Sequence, residues 1–252
     1  NGEVTLVGTD ARNEVRFEPN INGKFITVNL ARVAASGKVV SDLNPHLAGQ
    51  PATAAPSLRE RSLGDPRAIA WNADGSRGYI AGMGSNNVVV IDANGARIGQ
   101  PIRVGEGPVG LALDGARSRL YVWNHFDASL SQIDTATQSE RTRLALFNPL
   151  PAAIREGRAL LYDTQRTSGG GQVSCASCHQ NCITQIGQPR CEDFHSMKGP
   201  MTTQTMQDII GHEPHHWRGD RTGIEAFNPA FKELLGDDVE LTAAEMQDFE
   251  DF

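Results

Sequence analysis

The chain has 252 residues, enough for one large domain or two of ordinary size, and 39% of them are hydrophobic, enough for packed cores. Its 23 basic residues against 30 acidic ones give a net charge of −7 without long runs of either sign, which argues against a nucleic-acid partner. No stretch reaches the roughly 18 consecutive apolar residues needed to span a bilayer, so no transmembrane segment is expected, and the opening NGEVTLVGTD lacks the basic and apolar regions of a signal peptide, so any export signal is expected to have been removed.

In chain order, the first feature is an internal repeat between about Ile26 and Leu146. The run DPRAIAWNADGSRGYIAGMGSNNVVVIDANG overlays GPVGLALDGARSRLYVWNHFDASLSQIDTAT, with Pro66 matching Pro108, Tyr79 matching Tyr121 and Asp92 matching Asp134, each 42 residues apart. That period fits a four-stranded propeller blade. Each copy reads as a short apolar strand, an Asp-Gly turn, a second strand, and a third ending in Ile-Asp; Asp-Gly between apolar runs is a hairpin signal. An earlier copy is GKFITVNLARVAASGKVV, and the Ala- and Pro-rich stretch NPHLAGQPATAAPS after it reads as an exposed loop insertion.

The Tyr79-Ile80-Ala81 and Tyr121-Val122-Trp123 strands, followed by their Ile-Asp endings, resemble the YVTN-type β-propellers over residues 1–147. About three blades fit here, whereas closure usually takes four to eight, so the remaining blades are expected upstream or in another chain.

Beyond Asn148-Pro149 the period-2 pattern ends, and residues 148–252 read as a second domain, mainly α. AAIREGRALLYD places Ile154, Leu160 and Leu161 on one helical face. LTAAEMQDFEDF opens with a Thr cap and a Glu three residues on, and runs for about two turns. The expected architecture is therefore multidomain: a partial all-β propeller followed by a mainly α domain.

All four cysteines fall between positions 175 and 191, which favours a local site over a fold-wide disulfide framework. Cys175-Ala176-Ser177-Cys178-His179 has the form C-x-x-C-H, in which two thiols add to the haem vinyl groups and the adjacent His is placed beneath the iron. A zinc site would need a second ligand pair, which Cys182 and Cys191 could supply. A thioredoxin-like pair would need a neighbouring βαβ pattern, which is not found. Thioether attachment of haem in bacteria is completed outside the cytoplasm, so the motif places the protein in the periplasm or at the cell surface. In that oxidising setting Cys182 and Cys191 read as a disulfide, worth about 2–3 kcal/mol from loop entropy; Cys182 as an iron ligand is the alternative.

The run GRALLYDTQRTSGGGQVSCASCH, the Lys198-Gly199-Pro200 segment with Thr205, and His216-Trp217-Arg218-Gly219-Asp220-Arg221 together resemble the first haem domain of the di-haem cytochrome c peroxidases and MauG-like proteins, over residues 157–221. The resemblance implies an exported haem oxidoreductase in which this haem meets hydrogen peroxide. It implies that Trp217 lies on an electron path between two haems, that His195 is the distal ligand of the iron bound by His179, and that Arg221 lies near a haem propionate. Met197, Met201 or Met206 are the alternative sixth ligands, and a methionine there would raise the potential and favour electron transfer over catalysis.

The family's acidic residue for O–O cleavage has Glu233, Asp237 and Asp238 as candidates here, a role of general acid–base type. The chain carries W-R-G-D-R where the family has W-D-G-R. A second C-x-x-C-H domain, implied as the electron-entry partner, is absent from these 252 residues and is expected downstream if present. A calcium ion between haem domains is implied by the resemblance alone. The alternative function is an electron-transfer cytochrome with a six-coordinate haem, using the propeller as a docking platform for a protein or surface partner.

Overall fold

The computed structural model describes residues 2–11, 26–177, 179, 194–196, 199–201, 206 and 208–252. Three antiparallel meander sheets come first. The first holds β1 (Val4–Ala11), β2 (Ile26–Ala34) and β3 (Gly37–Asp42). A short helix, α1 (Pro56–Arg59), precedes the second sheet of β4 (Pro66–Trp71), β5 (Arg77–Gly82), β6 (Asn87–Asp92) and β7 (Arg97–Arg103). The third sheet holds β8 (Pro108–Asp114), β9 (Arg119–Asn124), β10 (Ser129–Asp134) and β11 (Ser139–Ala145). Every strand of the third sheet starts 42 residues after its counterpart in the second.

The copying extends to irregularities. Both β4 and β8 open on a proline, where a missing N–H costs no ladder bond, and both carry a register shift right after it. The two Asp-Gly pairs differ, however. Gly75 turns the chain at φ 71°, with the Asp74 carboxylate accepting from Ser76 N–H at 2.9 Å. Asp114 instead caps a 3-10 turn over Gly115–Arg117, and the left-handed residue is Ser118.

The middle sheet explains the unbroken apolar run NVVVID. Val89, Ile91 and Ile80 pack against Val28, Leu30 and Leu63 on one face. Val88, Val90 and Tyr79 pack against Leu120, Val122 and Ile133 on the other. A strand covered on both faces shows no polar alternation. The outer sheets leave Val4, Leu6 and Leu144 exposed on their far sides.

The stretch after Asn148 corrects the expectation of a mainly α domain, because the chain as a whole is mostly β-sheet. Among the described residues of this stretch only α2 (Ala152–Tyr162) and α5 (Ala243–Asp251) have length; α3 (Thr164–Thr167) and α4 (Pro229–Glu233) are single turns, and β12 (Phe194–Ser196) pairs with β13 (Gly199–Met201). The physical reason is local. Asp163 ends α2 and caps α3, accepting from Gln165 and Arg166 N–H at 2.9 Å, and Gly169-Gly170-Gly171 then forbid further helix.

α2 and α5 lie so close that a Cβ at Gly157 would collide with the Asp248 carbonyl. Beneath them Leu160, Phe231, Met246 and Phe249 form one buried cluster. Among the described residues no helix is long and apolar enough to cross a membrane.

The expected Thr242–Glu245 cap is a full capping box. Thr242 N–H donates to Glu245 at 2.8 Å, and with Arg166 and the Thr242 hydroxyl it holds the Glu245 carboxyl down to about 2. Because the unfolded value lies near about 4.3, the box stabilises the fold above that pH and is lost as pH falls towards about 2. Glu245→Gln is therefore expected to flatten the acid limb of a thermal-stability-versus-pH curve in that window while leaving the alkaline limb in place. An unchanged acid limb would refute the linkage.

Candidate functional site

The site is reached along a tightly packed approach. The stretch 44–57, although largely exposed, is not a free insertion: it is a strap pinned at both ends. Asn44 is buried, donating to Leu63 O at 2.8 Å and to Gln172 Oε1 at 2.9 Å, while Gln172 Nε2 donates to Ile26 O at 3.1 Å. Ala54 N–H donates to Gly169 O at 2.8 Å, and Thr53 Oγ1 to Gly236 O at 2.7 Å. Arg59, also buried, pairs with Asp237 at 3.0 Å and with Asp238. Strap, glycine run and the 236–238 turn thus form one unit directly before the cysteine motif.

There Ser174 N–H donates to Ser177 Oγ at 3.0 Å and opens the 3-10 turn Cys175–Ser177. His179 N–H donates to Cys175 O at 2.9 Å, so Cys175 and His179 share one helical turn. Ala176 is fully buried, and Cys175 is partly buried against the cluster that also holds Met206, Ile209 and Phe227. Burial pushes the Cys175 thiol up to about 12, and it forms no disulfide. The Cys175 sulfur thus lies against apolar side chains. Among the described residues no three His, Cys, Asp or Glu side chains gather into a metal site.

Cys178, Cys182, Cys191, Met197, Lys198 and Thr205 lie outside the described residues. His195 is on β12, opposite Pro200 of β13; its side chain, like that of Met201, lies outside what is described. Among the described side chains, Met206 is the alternative sixth ligand that packs in the Cys175 cluster.

The HWRGDR segment is a tight loop closed by an antiparallel bridge between His215 and Arg221, with His215 N–H donating to Arg221 O at 2.8 Å. His216 sits at φ 67°, its Nδ1 3.1 Å from Asp220 Oδ1, and Trp217 at the tip is 65% exposed. Arg218 is followed by Gly219, whose N–H donates to His216 O at 3.1 Å. At the base of the loop, the Arg221 guanidinium lies 5.9 Å from the centroid of Phe227, and the His215 ring lies 6.1 Å from it. Through Phe227, the loop borders the same buried cluster against which Cys175 packs.

Glu233 is exposed at the end of α4. Asp237 and Asp238 are taken up by Arg59, which gives them a tying role instead of a free acid's. His46 is held structurally, with Nε2 3.1 Å from Leu58 O and 3.2 Å from Ser62 Oγ. Phe227 and the long-range anchors of the strap escaped the sequence reading, while His212, His215 and His216 stand out in it only as histidines beside Trp217.

No known protein family and no curated protein matches the chain. Solved structures do, at a distance. Hydrazine synthase of Kuenenia stuttgartiensis is 17% identical over 54% of this chain and 42% of its own, with a TM-score of 0.41. The β-propeller domain of the trilobed protease from Pyrococcus furiosus is 9% identical over 59% and 41%, at 0.37. Streptogramin B lyase is 16% identical over 51% and 38%, at 0.34. The chain spans about two fifths of each of these. Likeness this distant carries no argument about chemistry, and the propeller-like character of the chain is read from its own two four-stranded blades and their 42-residue repeat.

Proposed function

We propose that the chain is part of an exported c-type haem oxidoreductase, peroxidase-like, with propeller blades in front of its haem site. The observation that carries this reading is the single turn joining Cys175 to His179, with Cys175 set against an apolar cluster. That environment fits a neutral thioether and an imidazole facing the same group. The group, once bound, would supply iron redox chemistry; the chain would supply its attachment, orientation and access.

In this reading Cys175 and Cys178 would hold the haem, and His179 and His195 would bind its iron. Glu233 is the carboxylate proposed for proton transfer, and Trp217, standing out at the tip of its loop, is the contact for a second haem or a redox protein. A periplasmic or cell-surface location goes with haem attachment. Calcium has no ligand set among the described residues that supports it.

A second reading is favoured by Met206, which shares the apolar cluster with Cys175. If Met206 fills the sixth position, the haem is a permanently six-coordinate electron carrier.

Both readings require covalent haem. Produced with a haem-attachment system, the chain is expected to keep a haem stain on a denaturing gel and to lose it almost wholly on Cys175→Ser. No stain on the unaltered chain would sink both. Between them, binding of carbon monoxide to the reduced protein supports the peroxidase-like site. A low-spin spectrum indifferent to carbon monoxide supports the carrier, and Met206→Leu would then open the iron.

A further inference from the structure

We infer that His215 and Arg221 form a two-donor clamp for a carboxylate; resting on the haem reading above, its first candidate is a haem propionate. His215 Nε2 and Arg221 Nε are both shut off from solvent and neither has a hydrogen-bond partner. An unmade bond to a buried polar group costs about 1–3 kcal/mol, and here two such groups belong to residues paired directly across one bridge. Side chains facing each other across such a pair are close enough to share a ligand.

Among the described residues the protein's own acids do not fill the place. Glu213 Oε1, the nearest carboxylate to His215, stands 3.8 Å from Nε2, beyond hydrogen-bond reach, and already accepts from Gly211 N–H at 3.0 Å. Asp220 is engaged with His216. What is missing is an acceptor with two oxygens, one for each donor, and a carboxylate has that shape. The surroundings also describe the rest of the ligand: both donors flank the Phe227 ring, which packs on the cluster holding Cys175 and Met206. The carboxylate should therefore be carried on an apolar body reaching towards the cysteine turn.

The test uses the full chain with covalent haem, its attachment first established by the stained gel. Midpoint potential is measured against pH for the unaltered chain, Arg221→Gln, Arg221→Lys and His215→Gln. The inflection that marks propionate ionisation is expected to move up by about one to three pH units in Arg221→Gln, since a carboxylate loses a cationic partner, and by less in Arg221→Lys and His215→Gln. Superimposable curves overturn the propionate clamp. Should Arg221→Gln fail to fold, the other two variants decide.

If the chain carries no haem, the haem reading has failed and the clamp is tested alone. Sodium acetate is titrated while the ring nitrogens of His215 are followed by NMR. A saturable shift that Arg221→Lys weakens keeps a clamp for free carboxylates. No shift overturns it and leaves the two donors to water.

Discussion

Arg59→Ala is expected to destabilise the fold by about 3–5 kcal/mol at neutral pH, the cost of stripping a buried charge of its partner. Arg59 and Asp237 are both buried, and the guanidinium reaches Asp237 at 3.0 Å and Asp238 beside it. Burial already pushes the Asp237 carboxyl up, while Asp238 N–H and Arg59 pull it down. Without Arg59 the upward push dominates and the folded value rises further. A raised carboxyl contributes stability that is present below its unfolded value, near about 3.9, and lost as pH rises through the folded one. The deficit of Arg59→Ala should thus be smaller near pH 4 than at pH 7, which urea unfolding at the two values would show. A deficit equal at both would mean that lost packing of the arginine stem, not an orphaned Asp237, carries the effect. Arg59→Met with Asp237→Leu should recover most of the loss, because apolar replacement of a buried ion pair is often neutral or better.

That ion pair marks the limit of what the sequence could tell. The blades were legible because their signals are local: a 42-residue period, a proline at each opening strand, and alternation that disappears where NVVVID is covered on both faces. The cysteine turn was legible because five consecutive residues make it. The stretch read as an exposed loop insertion is largely exposed, but its anchoring was not legible because the anchors come from far along the chain: Asn44 meets Gln172 across 128 positions and Arg59 meets Asp237 across 178. Alanines and prolines there resemble any exposed loop until the glycine run is brought alongside. The mainly α expectation failed for a related reason. Helical periodicity was present in α2 and α5, but among the described residues between them the backbone is held by the strap and by single turns. The unpartnered Nε2 of His215 could not be read in advance, because an unpartnered donor is a property of the assembled site and leaves no pattern in the chain.

Gly169→Ala is the second large effect expected, and it bears on the haem site directly. A Cβ at this position would collide with two carbonyls at once, those of Gly236 and Ala52. Neither can swing away as a flexible side chain would. Gly169 also donates its N–H to Leu235 O at 3.0 Å and accepts from Ala54 N–H at 2.8 Å, so its backbone joins the strap to the 235–236 turn. Relieving the clash requires moving one of these segments, and overpacking of this kind costs about 1–3 kcal/mol before any hydrogen bond is lost. Losing the Ala54 or Leu235 bond adds about 1 kcal/mol each.

Six residues further on is Cys175, and between them Gln172 holds Asn44 and Ile26. A displaced glycine run is therefore expected to loosen the cysteine turn, lowering the yield of haem-stained chain as well as the unfolding midpoint. Gly170→Ala is the matched control, since a Cβ there meets its nearest neighbours at 3.6 Å and 3.7 Å, ordinary contact distances. If both variants melt alike, the close approach at Gly169 is not what positions the site; if Gly169→Ala alone loses stability and haem together, the strap and the cysteine turn behave as one mechanical unit.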